Sequence, residues 1–148
     1  MTITEGSDID LAVVADWFYG LYNDYNIRLW KCGYDQRFAK DWINRMSFYG
    51  WEKTGGDDSD LIMINQNAQT LTNAIKLTES DFKHKLIYYN NHAVDKWCFG
   101  NAGLKVDNNG SLIVKLETHK RIDGAVCLAI LCEVYRRFRT DFKTIVER

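Results

Sequence analysis

The chain has 148 residues, 46% of them apolar and 14% aromatic, and a formal net charge of −1. A chain of this size forms one ordinary domain (residues 1–148) whose folding hides roughly 70% of the surface exposed by the unfolded chain, so it needs neither disulfides nor a structural metal to hold it together. Disorder and a membrane span are excluded by composition, and so is a global attraction to nucleic acid by the near-zero charge; any DNA contact must come from a local patch.

Along the chain, "IDLAVVADWFYGLYNDY" places Ile9, Val13, Val14, Trp17, Phe18, Leu21, Tyr22 and Tyr25 at the three-and-four spacing of an amphipathic helix, with Ser7 or Asp8 as its cap. "NIRLWKCGYD" alternates and predicts a strand ending near Asp35. "QRFAKDWINRMSFYG" returns to helical spacing through Phe38, Trp42, Ile43 and Met46, with Gly50 where a C-terminal cap stands. The polar loop "GGDDSD" then leads into the compact apolar run Leu61 to Ile64, which suits a buried strand. A third helix is predicted in "AQTLTNAIKLTESDFKHK", ahead of the short run "LIYY", and a short helix in "HAVDKWCFGNA". "LKVDNNGSLIVKL" is a hairpin turning on Asn-Asn-Gly, and the helix beginning near Asp123 closes the chain. Strands alternating with helices argue for an α/β sheet with helices on its faces. Trp17, Trp42 and Trp97 share helical spacing with other apolar residues and are read as core rather than as stacking platforms for bases.

Several chemistries find no support. There is no G-x-x-x-x-G-K-[ST] loop, no G-x-S-x-G elbow, and His84, His92 and His119 are too scattered for a zincin site. "GGDDSD" lacks the spaced ligands of an EF-hand and reads as a solvated loop. Cys32, Cys98, Cys127 and Cys132 are irregularly spaced without a C-x-x-C pair and read as reduced, packed thiols rather than zinc or disulfide partners. The N-terminus lacks the order of a signal peptide, an expectation of a cytoplasmic protein.

What remains is aspartates at element ends. Asp35 follows "CGY" at the carboxyl end of a predicted strand, where open α/β sheets place ligands, but it is equally suited to cap the next helix. Asp123 stands in a helix first turn, where a carboxylate interacts favourably with the dipole. Lys120, Arg121 and the small Gly124 beside it also suit a charged site that something approaches closely. Both readings stand for each residue.

The segment "KRIDGAVCLAILCEVYR" resembles the C-terminal signature of the nuclease domain of the tailed-phage large terminase subunit, an Arg-Ile-Asp-Gly motif opening a helix. "IRLWKCGYDQRFAKDW", "IMINQNAQTLTNAI" and "KLIYYNNHAVDKWCFGNA" resemble three earlier blocks of that family in the same order, so the resemblance runs from about Ile27 to Phe138. It implies a ribonuclease-H-like mixed sheet flanked by helices, N-terminally incomplete, with a C-terminal hairpin and helix. By the same resemblance, Asp35 and Asp123 are catalytic metal ligands in a two-metal site for Mg²⁺ or Mn²⁺, which stabilises the in-line oxygens of phosphodiester hydrolysis. The resemblance further implies that the chain is part of an endonuclease module cutting concatemeric viral DNA in the host cytoplasm. Double-stranded DNA would be its substrate, and other terminase subunits and the phage portal its partners. Lys120 and Arg121 would face the DNA phosphates. Arg136, Arg137, Arg139 and Lys143 form a basic end that suits either a helix C-terminus or phosphate contact.

This sequence departs from the family pattern in two ways. The packaging ATPase domain and first acidic strand are not in it, and Asn67 stands where the family often has glycine. The missing carboxylate leaves open a second expectation: a truncated or prophage-remnant module, catalytically inactive, that contacts DNA or partner subunits. Another ribonuclease-H-like nuclease, such as a junction resolvase, is a further alternative.

Overall fold

The computed structural model describes residues 10–37, 39–56 and 58–146. Ser7, Asp8 and Phe38, to which the sequence assigns a cap and a core position, lie outside them. The chain divides into two compact units, Met1–Met63 and Ile64–Arg148.

In the first unit, helix α1 (Leu11–Tyr25) is capped by Asp10, whose Oδ1 accepts the Ala12 N–H at 2.8 Å. It ends on Asn26 in the left-handed conformation that asparagine tolerates (φ 54°). Strand β1 (Cys32–Tyr34) pairs in parallel with β2 (Leu61–Met63), Cys32 opposite Leu61 and Tyr34 opposite Met63. The predicted strand over residues 26–35 is thus confined to its last few residues. Between β1 and β2 lies helix α2 (Lys40–Phe48). Beyond its last residues the Gly50 N–H donates to Ser47 and the Trp51 N–H to Met46, with Gly50 at φ 91°. This pair of bonds is the Schellman closure that glycine makes possible. Ala15, Tyr34, Trp42, Met46, Trp51 and Leu61 form the unit's core. On its outer side Asp16 accepts from Arg45 Nε at 2.8 Å and Tyr49 Oη at 2.6 Å, bonds that hold its carboxyl below the ordinary range.

In the second unit, helix α3 (Ala68–Lys83) is capped by Asn67, which accepts the Thr70 N–H at 2.8 Å. Helix α4 (Ala93–Gly100) follows, then β3 (Ala102–Asp107) and β4 (Gly110–Lys115) as an antiparallel hairpin, and finally α5 (Asp123–Val146). Helix α5 packs on α3 and α4, and β4 lies on α3. The hairpin turn is as expected, with Asp107 accepting the Asn109 N–H at 2.9 Å, although the positive φ falls on Gly110 alone among its residues.

The run "LIYY" lies out in solvent (Tyr88 93% exposed) and pairs with no strand among the described residues. Two expectations change. Trp42 is core, but Trp17 and Trp97 are 56% and 48% exposed, because the face of each helix that carries them is not covered. Parallel and antiparallel pairing both occur, as an α/β fold with flanking helices, but in separate two-stranded sheets among the described residues. No helix among these residues is long and apolar enough to cross a membrane.

Candidate functional site

The approach to α5 is built around Asn101, at the end of α4. Its backbone carbonyl accepts the Leu116 N–H at 3.0 Å, fixing the end of β4, and its buried side chain donates from Nδ2 to the Arg121 carbonyl at 3.1 Å. One residue thus pins the strand and the loop that follows it. The Lys120 N–H closes a turn on the Glu117 carbonyl at 3.0 Å, and Ile122 is buried, which leaves Arg121 and Asp123 on either side of it exposed. Lys120 is half-buried. Lys120, Arg121 and Asp123 are therefore brought together on one short segment. Sequence reasoning missed Asn101; its available signal was a lone amide directly after the helix-ending Gly100.

Gly124 does permit a close approach, but the neighbour is α4. A Cβ at this position would stand 3.2 Å from the Cys98 Cβ and 3.8 Å from Asp95 Oδ1. The small residue of "RIDG" is accounted for by helix packing. One turn on, burial pushes the Cys127 thiol up, with smaller contributions from the charge of Asp123 and from Cys98, although the residue as a whole reaches solvent. A raised thiol is a poor nucleophile and metal ligand. All four cysteines are free, with Cys98 and Cys132 buried.

Asp35 lies in the first unit, directly after β1. Its Oδ1 accepts the Arg37 N–H at 3.3 Å, a local turn, while the N-cap of α2 is Ala39, so the capping reading does not hold. Asp123 belongs to the second unit, in the first turn of α5.

The expected two-metal centre is corrected here. Among the described residues, no group of three or more His, Cys, Asp or Glu side chains is arranged to hold a metal ion. Mg²⁺ and Mn²⁺ require several oxygen ligands held together in advance. Several carboxylates of this chain are committed elsewhere: Asp10 caps α1, Asp16 holds Arg45 and Tyr49, and Asp60 accepts the Glu52 N–H. Glu79 pairs with Lys83, and Glu133 with two arginines. The assignments of Mg²⁺ or Mn²⁺ as cofactor and of metal-dependent endonuclease activity, including the resolvase variant, lose their ligand set.

The basic residues Arg136, Arg137, Arg139 and Lys143 lie within α5 rather than after it, and Arg136 and Arg137 both donate to the buried Glu133. Charge is nonetheless divided along the chain. Residues 64–148 hold thirteen Lys and Arg against nine Asp and Glu, a net +4, while residues 1–63 hold six against eleven, a net −5.

No protein-family model matches the chain, and no curated protein does. Among solved structures, the crystal structure of the HK97 bacteriophage large terminase is similar in fold, with a TM-score of 0.69 at 19% sequence identity. The match covers 86% of this chain and 25% of the other, so this chain spans about a quarter of that protein's length.

Proposed function

We propose that this chain is a non-catalytic module on a ribonuclease-H-like, terminase-nuclease-type scaffold, which contacts double-stranded DNA without cutting it. The observation that carries the reading is a terminase-like fold in which, among the described residues, no group of three or more His, Cys, Asp or Glu side chains is arranged to hold a metal ion. The positive charge of residues 64–148, with Lys120 and Arg121 at the start of α5, supports phosphate contact in this part of the chain. Such contact is sequence-tolerant and weakens with salt as counterions are released. Partners of the kind the resemblance implies, other terminase subunits and the portal, fit the same module.

The test measures binding of a fluorescent DNA duplex across a salt series for the wild type and for Lys120→Ala/Arg121→Ala. The wild type binds with a log–log salt slope several units negative, and the double variant flattens that slope by about 2. A parallel plasmid-nicking assay with Mn²⁺ yields no product. Nicking that disappears in Asp123→Ala refutes the non-catalytic reading, and DNA affinity unchanged in the double variant refutes the interface.

A further inference from the structure

The two edges of the β3–β4 hairpin differ. Leu116 donates its N–H to the Asn101 carbonyl, so along the register that follows, Gly103, Lys105 and Asp107 exchange hydrogen bonds with Val114, Leu112 and Gly110. The alternate residues of each strand turn their N–H and C=O groups outward. On the β4 edge Ser111 meets α3, donating its N–H to Thr72 Oγ1 at 2.8 Å. On the β3 edge Ala102, Leu104 and Val106 have no backbone partner among the described residues. Their side chains share one face of the hairpin, where Leu104 is 51% and Val106 68% exposed. Lys105, the lysine of this strand, lies on the opposite face. A proline-free edge with exposed apolar side chains is a template for another strand.

We infer that β3 of a second copy pairs antiparallel with this edge, Leu104 opposite Leu104 of the other copy, so that the two hairpins form one continuous sheet. In this register Ala102 of each chain opposes Val106 of the other, and the outward N–H and C=O groups of all three residues are satisfied reciprocally. The apolar side chains of both copies fall on one face, with Leu104 against Leu104 at its centre. On the other face Lys105 stands opposite Gly103, which has no side chain to oppose it. Neighbouring registers are disfavoured. Sliding the strands by two residues toward the turn sets Lys105 directly against Lys105 of the other copy, which is destabilising. Sliding them as far the other way carries Val106 past the strand onto helical Gly100. The pairing uses the same surface on both copies and therefore closes at the dimer. Such an interface is small, so association is weak and reversible. This inference is independent of DNA contact.

The test follows the full chain over a wide range of concentration, its mass by sedimentation equilibrium and its amide hydrogen exchange by NMR. Wild type passes from monomer to dimer as concentration rises. The Leu104 and Val106 amides, open in the monomer, then become about tenfold or more better protected, while those of Gly103 and Lys105 are protected throughout. Leu104→Lys and Leu104→Glu each weaken association about tenfold or more, because like charges then meet on the two-fold axis. Mixed together, the two variants form a one-to-one dimer. As Leu104 is exposed, circular dichroism of each variant matches the wild type. A wild type that stays monomeric at every concentration sinks the proposal. So does a dimer in which exchange at Leu104 and Val106 is unchanged, or a mixture of the two charged variants that remains monomeric.

Discussion

Glu133 of α5, its side chain only 1% exposed, accepts a hydrogen bond from Arg137 Nε at 2.7 Å, and Arg136 adds two more from Nε and Nη2, each at 2.9 Å. The arginines follow at i+3 and i+4 on the same helix, so the carboxylate is satisfied by its own element while the guanidinium groups reach solvent. Burial pushes the Glu133 carboxyl up, but the hydrogen bonds and charges of Arg136 and Arg137 outweigh it and hold the group below its ordinary value.

From this arrangement, removing the partners costs more than removing the acid. Arg136→Met/Arg137→Met leaves a buried carboxylate uncompensated and destabilises by about 3–5 kcal/mol, whereas Glu133→Gln keeps the volume and costs about 1–3 kcal/mol. Urea unfolding at neutral pH compares them. A folded-state pKa below the unfolded one stabilises fully above about pH 4.5 and is lost as the pH falls through the folded value. The wild type therefore loses stability in that acid range more steeply than Glu133→Gln. Parallel acid-unfolding curves for the two proteins contradict this assignment.

Gly110 and Thr72 lock the hairpin to α3. The Ser111 N–H donates to Thr72 Oγ1 at 2.8 Å, and a Cβ on Gly110, which sits at φ 124°, would come to 2.1 Å from that same oxygen. Gly110→Ala combines backbone strain with a clash and destabilises on the order of 3 kcal/mol. Gly56→Ala, where a Cβ meets nothing within 4 Å, changes stability by less than about 0.5 kcal/mol. Thermal unfolding of the two variants side by side reads the difference.

Asn67 is the cap of α3, its Oδ1 accepting the Thr70 N–H. Asn67→Ala removes the acceptor for the Thr70 N–H and costs about 1 kcal/mol, while Asn67→Gly costs only a few tenths. Equal losses in chemical denaturation would show that the side-chain bond contributes nothing.

The carboxylates illustrate why the site was only partly legible in the sequence. A run such as "KRIDG" displays which residues are adjacent, and the order of blocks around it matches a terminase-like fold, which the structural comparison supports. It does not display what the other acidic residues are doing. Asp16 is held by Arg45 and Tyr49, 29 and 33 residues further on, and no reading of spacing along α1 reveals that pairing. Likewise, periodicity marks Trp17 and Trp97 as apolar members of helices but is silent on whether a neighbour covers them.

What the sequence by itself determined are features written within a few residues: the 3.6-residue periodicity of four helices and the long last one, the glycine closing α2, the hairpin turn after Asp107, and the parallel-pair strand at Leu61. These depend on dihedral preferences and hydrogen bonds between near neighbours, which residue types alone specify. Only the tertiary structure decided that Gly124 makes room for Cys98, that Asn101 holds Arg121 across 20 residues, that "LIYY" has no strand to pair with, and that Glu133 is buried. Each of these depends on which distant surface arrives beside a residue, and an amphipathic pattern defines a face to be covered without specifying what covers it.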